Sequence, residues 1–132
     1  MFADSSVRVA VGANNRRDTY GPDRDDVHHR GSIFVLTLNA TGRVQHELEI
    51  RPGRSGLPLS LFPEDSYLGG AIALVAPAVP APVGIIARSA AGSRGAITAI
   101  GCQHCRSRTG DVMLLQHDPT DWTVTKAVSV RD

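Results

Sequence analysis

Helical periodicity is missing from this chain: nowhere do apolar residues recur at three-and-four spacing over a useful length, which argues against a helical bundle and against any α/β scheme. Net charge is nearly absent as well. Fourteen basic residues against thirteen acidic ones leave +1, which excludes binding to nucleic acid or to an anionic membrane surface by bulk charge. Two cysteines, Cys102 and Cys105, are too few for a disulfide-built scaffold. Their single C-x-x-C fits a local disulfide, a redox pair, half a zinc site or two reduced thiols, and it fixes no compartment. The longest uncharged stretch is 66–87, nominally long enough to cross a bilayer. Pro77, Pro80 and Pro82 sit in its middle, where each would remove a backbone donor, so two short strands around a Pro-rich loop are expected instead of a span. The polar start, Met1 to Ser6, lacks the basic and apolar regions of a secretory signal.

What is present is the composition of a folded domain, 42 % hydrophobic and 20 % charged over 132 residues. Its pattern repeats. Val9-Ala10-Val11-Gly12-Ala13 and Thr98-Ala99-Ile100-Gly101-Cys102 are each followed by a polar loop, a glycine and an apolar strand, Gly31 to Leu36 and Gly110 to Leu115. Each of these leads through a turn into a third strand, from Arg43 or from Trp122. Gly12 and Gly101 stand 89 residues apart, Gly31 and Gly110 stand 79 apart, and the difference is absorbed by the loop. Strands that persist while loops vary are the mark of repeats sharing a core.

Val7, Val9 and Val11 alternate with Arg8, Ala10 and Gly12, which predicts a strand with one large face and one very small, closely packed face. Ile33-Phe34-Val35-Leu36 is apolar on both faces and is expected inside a sheet. Asn39-Ala40-Thr41-Gly42 supplies a hairpin turn, after which Val44, Leu48 and Ile50 are expected to share a face. Leu57 to Phe62, interrupted by Pro58 and Pro63, reads as irregular packing or a short edge strand. Further strands are expected at Ala71 to Ala76, Val83 to Ala87, Gly95 to Gly101, Asp111 to Gln116 and Trp122 to Val130. In the last, Trp122, Val124, Val128 and Val130 are expected on one face with Lys126. Eight or nine short strands favour a sandwich, barrel or propeller.

These residues resemble FG-GAP repeats, the units of the β-propeller in integrin α-subunit head domains. Tyr67-Leu68-Gly69-Gly70-Ala71-Ile72-Ala73 is similar to the family's opening, Val9 to Ala13 and Thr98 to Cys102 to its second strand, Arg30 to Leu36 to its third, and Leu38 to Val44 to its turn and outer strand. The resemblance implies an all-β fold, antiparallel sheets forming about two blades of a propeller fragment. An incomplete first repeat over 1–56 and a degenerate second repeat over 57–132 would make up the chain. The first copy enters at its second strand, which predicts a piece of a longer protein. The implied role is non-catalytic recognition or adhesion, extracellular or at the cell surface, with a protein or glycan as ligand. Further blades or self-association would complete the ring, because unpaired edges invite another chain. The family's calcium loop is not intact here: no Asp or Glu lies between Asp65 and Asp111, the equivalent 76–82 segment offers only backbone carbonyls, and Asp4, Ser5 and Ser6 are the sole remnant in the first copy.

Candidate sites lie in the loops. Asp18, Asp23, Asp25 and Asp26 could wrap a calcium ion, but their spacing is not that of an EF-hand and Arg16, Arg17, Arg24 and Arg30 are interleaved, which favours a solvated loop. Cys102, His104 and Cys105 with His28 and His29 could supply thiolates and imidazoles to zinc; a single C-x-x-C favours a disulfide or free thiols. Asn39-Ala40-Thr41 fits the N-glycosylation acceptor, although Asn39 is also a good turn former. Neither a Gly-x-Ser-x-Gly elbow nor a phosphate loop opening a helix is present, so catalysis is not expected. The rival reading is a small metal- or ligand-binding β domain, with or without enzymatic chemistry, that uses the Asp-rich and Cys/His loops.

Overall fold

A computed structural model of the chain describes residues 6–15, 18–19, 27–62, 66–77, 95–105 and 110–130. Among them run nine strands: β1 (Val7–Ala13), β2 (Asp18–Thr19), β3 (Val27–His28), β4 (Ser32–Leu38), β5 (Val44–Ile50), β6 (Leu68–Ala76), β7 (Ile97–Cys102), β8 (Asp111–His117) and β9 (Val124–Ser129). The fold is all-β. Two antiparallel sheets carry it, a three-stranded one in the order β1-β4-β5 and a four-stranded one in the order β6-β7-β8-β9. The pair β2-β3 forms a small ribbon inside the long loop after β1, which the composition of that loop did not announce. No helix among the described residues is long and apolar enough to cross a membrane, and β6 occupies most of the uncharged segment's first half.

The two sheets are built in the same register. Gly12 pairs with Ile33 on β4 as Gly101 pairs with Val112 on β8. In the next hairpin Val35 faces Leu48 as Leu114 faces Val128, and the pairing slips between Thr37 and Leu38 as it slips between Gln116 and His117. The offset is thus 79 residues on the second strand and 80 on the third, and the bulge falls at the same place in both sheets. The extra residue enters at the hairpin turn. Asn39 N donates to Arg43 O in the first turn, Asp118 N to Thr123 O in the second. At the close of those turns Gly42 has φ +79° and Trp122 has φ +65°. Trp122 therefore adopts a left-handed conformation that its glycine counterpart takes without strain.

The bulges overturn two expectations about faces. Because a slip of one residue sends all later side chains to the opposite side of a strand, Val44 lies opposite to Leu48 and Ile50, and Val124 opposite to Val128. Val124 pairs with buried His117 and points into the core, while Lys126, Val128 and Val130 stay outside and Trp122 belongs to the turn. Leu59–Leu61 forms a single 3-10 turn led by Pro58, not an edge strand. The strand expected at 83–87 lies outside the described residues.

Between the sheets lies one core. Ile33, Val35 and Ile50 from the first sheet meet Ile100, Met113, Leu115 and Val124 from the second, and Leu57, Phe62 and Leu68 belong to the same cluster. Each such aliphatic side chain, fully removed from water, contributes about 2 kcal/mol. The faces that meet are not equivalent. In repeat register the counterparts of Ile33 and Val35 are Val112 and Leu114, which lie on the outer side of the second sheet, so the seam joins unlike faces and the two sheets stack in sequence.

The small face of β1 makes that stacking close. A Cβ placed on Gly12 would collide with the Gly69 carbonyl oxygen, and one placed on Gly31 would collide with Leu68. Backbone runs against backbone at this point. Across the seam Leu68 N donates to Arg30 O at 2.8 Å, Tyr67 N to His29 O at 3.0 Å, and Val124 N to Ser55 O at 2.8 Å. At the far end the Arg8 guanidinium stands 5.4 Å from the centre of the Trp122 ring, a cation–π contact between the sheets.

Beside Trp122 a polar pair is buried. His117 is 3 % exposed and Thr98 is 4 % exposed. His117 Nδ1 lies 3.0 Å from Trp122 O; a carbonyl only accepts, which assigns the ring proton to Nδ1 and leaves Nε2 to accept from Thr98 Oγ1 at 2.8 Å. Burial holds the His117 pKa below the usual imidazole value, partly opposed by the Trp122 carbonyl. The first sheet has Val9 and Leu38 at these two positions, so the polar pair is a specialisation of the second sheet.

Three outcomes follow from these contacts. Gly12→Ala forces two backbones apart and should lower the unfolding free energy by about 2 kcal/mol or more, measured by urea titration. Gly42→Ala, with open space around its Cβ but a positive φ, should lose only about 1 kcal/mol. Because the folded chain holds His117 neutral, the unfolded chain binds more protons below the ordinary imidazole pKa of about 6.5. The His117 contribution is therefore complete above that pH and is lost as pH falls through the lowered folded value. Thr98→Val/His117→Leu, which installs the first sheet's pair, should flatten the acid limb of a stability–pH profile; an unchanged limb would assign the sensitivity elsewhere.

Candidate functional site

The end of β1, the start of β4, the start of β6, the end of β7 and the start of β8 all lie at one end of the stacked sheets, as the pairings Ala13–Ser32, Leu68–Cys102 and Cys102–Asp111 and the parallel bridge from Gly31 to Leu68 require. Three connections meet there. They are the loop after β1, the segment entering β6, and the turn after β7.

Each contributes one ring. His29 comes from the end of the first loop, Tyr67 from the entry to β6 and His104 from the turn after β7. The His29 and Tyr67 rings stack with centroids 5.6 Å apart and planes at 19°. His104 meets the other side of Tyr67 edge-on at 4.9 Å and 77°. All three are half-buried. Aromatic pairs in these geometries add about 1 kcal/mol beyond the area they cover.

Backbone contacts fix the cluster. Tyr67 N donates to His29 O and His104 N to Ser66 O, while Ser66, fully buried, donates its hydroxyl to Arg30 O at 3.0 Å. His29 Nδ1 donates to Asn15 Oδ1 at 2.7 Å, which orients that ring. Tyr67 itself sits at φ +52°. A bulky residue held in the left-handed region costs of order 1–3 kcal/mol and persists where its surroundings over-determine it, a pattern concentrated at ligand clamps.

Cys102 and Cys105 are joined in a disulfide, both buried, and close the turn that carries His104. An open groove adjoins this turn, lined by Asn14, Gly70, Ala71, Gly101, Gln103 and Asp111. The Asp111 carboxylate at its rim takes the amide of Val112 and the hydroxyl of Ser129.

The sequence-derived candidates are distributed as follows. His29 and His104, considered with the cysteines as zinc ligands, are brought together on the two sides of Tyr67, and the cysteines bond to each other. Among the described residues no group of three or more His, Cys, Asp or Glu is placed to hold a metal ion. Asp18 lies on β2 opposite His28. Asp23, Asp25 and Asp26 lie outside the described residues, as do Asp4 and Ser5 and most of the 76–82 segment. Asn39 Oδ1 accepts from Thr41 N, Thr41 Oγ1 and Arg43 N, so its carbonyl side ties the turn. Tyr67 escaped the sequence reading as a site residue, because nothing in a linear chain links positions 29, 67 and 104. Its one local signal is a large aromatic directly before Leu68-Gly69-Gly70, where a strand begins.

Cys102→Ser/Cys105→Ser should lose about 2 kcal/mol, the loop-closure value for so short a link, and should shift the His104 and Tyr67 ring resonances. A variant with wild-type stability and unshifted rings would show that the disulfide does not support the cluster. Compared with models of known protein families, with curated proteins and with solved structures, the chain matches none.

Proposed function

We propose that this chain is a non-catalytic recognition module of the β-propeller kind, two FG-GAP-like blades whose loop end binds a protein or glycan in the extracellular space or at a cell surface. The observation that carries the reading is the convergence of His29, Tyr67 and His104 from three separate connections onto one half-buried cluster. Rings with an apolar body and a polar tip contribute much of the energy at recognition surfaces, and these sit on loops braced by two rigid sheets. The blade assignment is supported by the shared register and shared bulge of the two sheets, and by the meander β6-β7-β8-β9, a complete four-stranded unit. The first sheet matches that unit from its second strand onward.

The test is an array carrying glycans and extracellular-matrix proteins, probed with the wild-type chain and with His29→Ala/His104→Ala. The wild type should retain at least one ligand, and the double variant, with its thermal melt checked, should weaken that binding tenfold or more, about 1.4 kcal/mol. Retention of nothing by the wild type, or equal binding by the folded variant, would overturn the recognition role.

A further inference from the structure

We propose that a second copy of this chain docks on it in sequence, the open face of its β1-β4-β5 sheet covering the outer face of the partner's β6-β7-β8-β9 sheet. This rests on the repeat register of the two sheets, shared with the preceding section, and not on the recognition role of the loop end.

The starting observation is that both outward faces are apolar. On the first sheet Val9, Val11, Phe34, Leu36 and Val44 share the side turned away from the core, with Val11 43 % and Val44 54 % exposed. On the second, Val112, Leu114, Val128 and Val130 share the outward side, with Val128 44 % and Val130 57 % exposed. Seven of the eleven large hydrophobic residues that stand exposed among the described residues, Val7 included, lie on these two faces. Apolar surface concentrated in this way marks an interaction site.

The register says what covers them. The open face of the first sheet is the counterpart, residue by residue, of the second sheet's buried face: Phe34 corresponds to Met113, Leu36 to Leu115, Val44 to Val124 and Val11 to Ile100. The outer face of the second sheet is the counterpart of the first sheet's buried face: Val112 corresponds to Ile33, Leu114 to Val35, Val128 to Leu48 and Val130 to Ile50. Inside the chain these two kinds of face already pack against each other to form the core. The molecule therefore presents one half of its own internal seam at each end.

Charge agrees with this pairing. Glu47, opposite Leu36, lies on the first open face, and Lys126, opposite Gln116, lies on the other. Like faces brought together would oppose equal charges, whereas unlike faces bring opposite ones together. The contact is accordingly head-to-tail, and it builds a ring if the rotation closes and a filament if it does not.

Sedimentation velocity over a concentration series tests the docking on the whole chain, with far-UV circular dichroism and a melt to confirm folding. The wild type should grow past dimer as concentration rises. Val11→Glu blocks one face and Val128→Glu the other, so each alone should stay monomeric, with association weakened more than tenfold. An equimolar mixture of the two should give a dimer and nothing larger, through the face each has kept. Should either variant fail to fold, Val44→Glu and Val130→Glu, at more exposed positions, replace them. A wild type that stays monomeric, a single-face variant that still assembles, or a mixture that stays monomeric would each overturn the proposal. Ligand retention by the monomeric Val11→Glu chain on the array keeps this outcome separate from that of the loop-end reading.

Discussion

Sheet stacking in this protein depends on one constraint, the approach of two backbones where β1 crosses the entry of β6. Gly12 and Gly69 leave no side chain between them, so the sheets come near enough for peptide groups from 29–30 to accept hydrogen bonds from 67–68. A side chain at either position would hold the strands apart by its own thickness and open gaps along the seam, where packing must reach the density of a solid. The valines of β1 are accordingly on the other face. That division leaves the large side of the strand outward and the small side inward, the reverse of the usual arrangement in a half-buried strand.

A second consequence concerns symmetry. Two copies of a β unit could pack with equivalent faces together, which would satisfy both at once and leave a polar exterior. Here opposite faces meet, so satisfying one seam always leaves one apolar face on each side. Departures from strict repetition are then informative. Where the first sheet has Val9, Leu38 and Gly42, the second has Thr98, His117 and Trp122, and those three form a hydrogen-bonded knot capped by Arg8. The exchange replaces two aliphatic side chains by a buried Thr98–His117–Trp122 carbonyl chain whose hydrogen bonds depend on a neutral imidazole, at the end of the sheets remote from the ring cluster.

Much of the strand layout was legible in the residues. Alternation in β1, the apolar run of β4, the Asn39 to Gly42 turn and the glycine offsets located most of the longer strands to within a residue or two and aligned the two sheets, whereas β6 begins three residues before the expected Ala71 and the β2-β3 ribbon was not anticipated. Side-chain facing was less legible. Period-two reasoning put Val44 with Leu48 and Val124 with Val128, and it failed because one bulged residue reverses the alternation without any marker such as glycine or proline. The polar knot was likewise hidden, since Thr98 and His117 read as ordinary polar residues until the strands place them side by side.

Sequence by itself determined the secondary structure class, the repeat and its register, because backbone propensity and alternation act over a few neighbouring residues and need no distant partner. Which faces meet, and which side chains gather at the loop end, only the tertiary structure decided. His29, Tyr67 and His104 are separated by dozens of residues, and their contact exists because two bare glycines let one sheet settle on the next and bring three otherwise unrelated connections to a single edge.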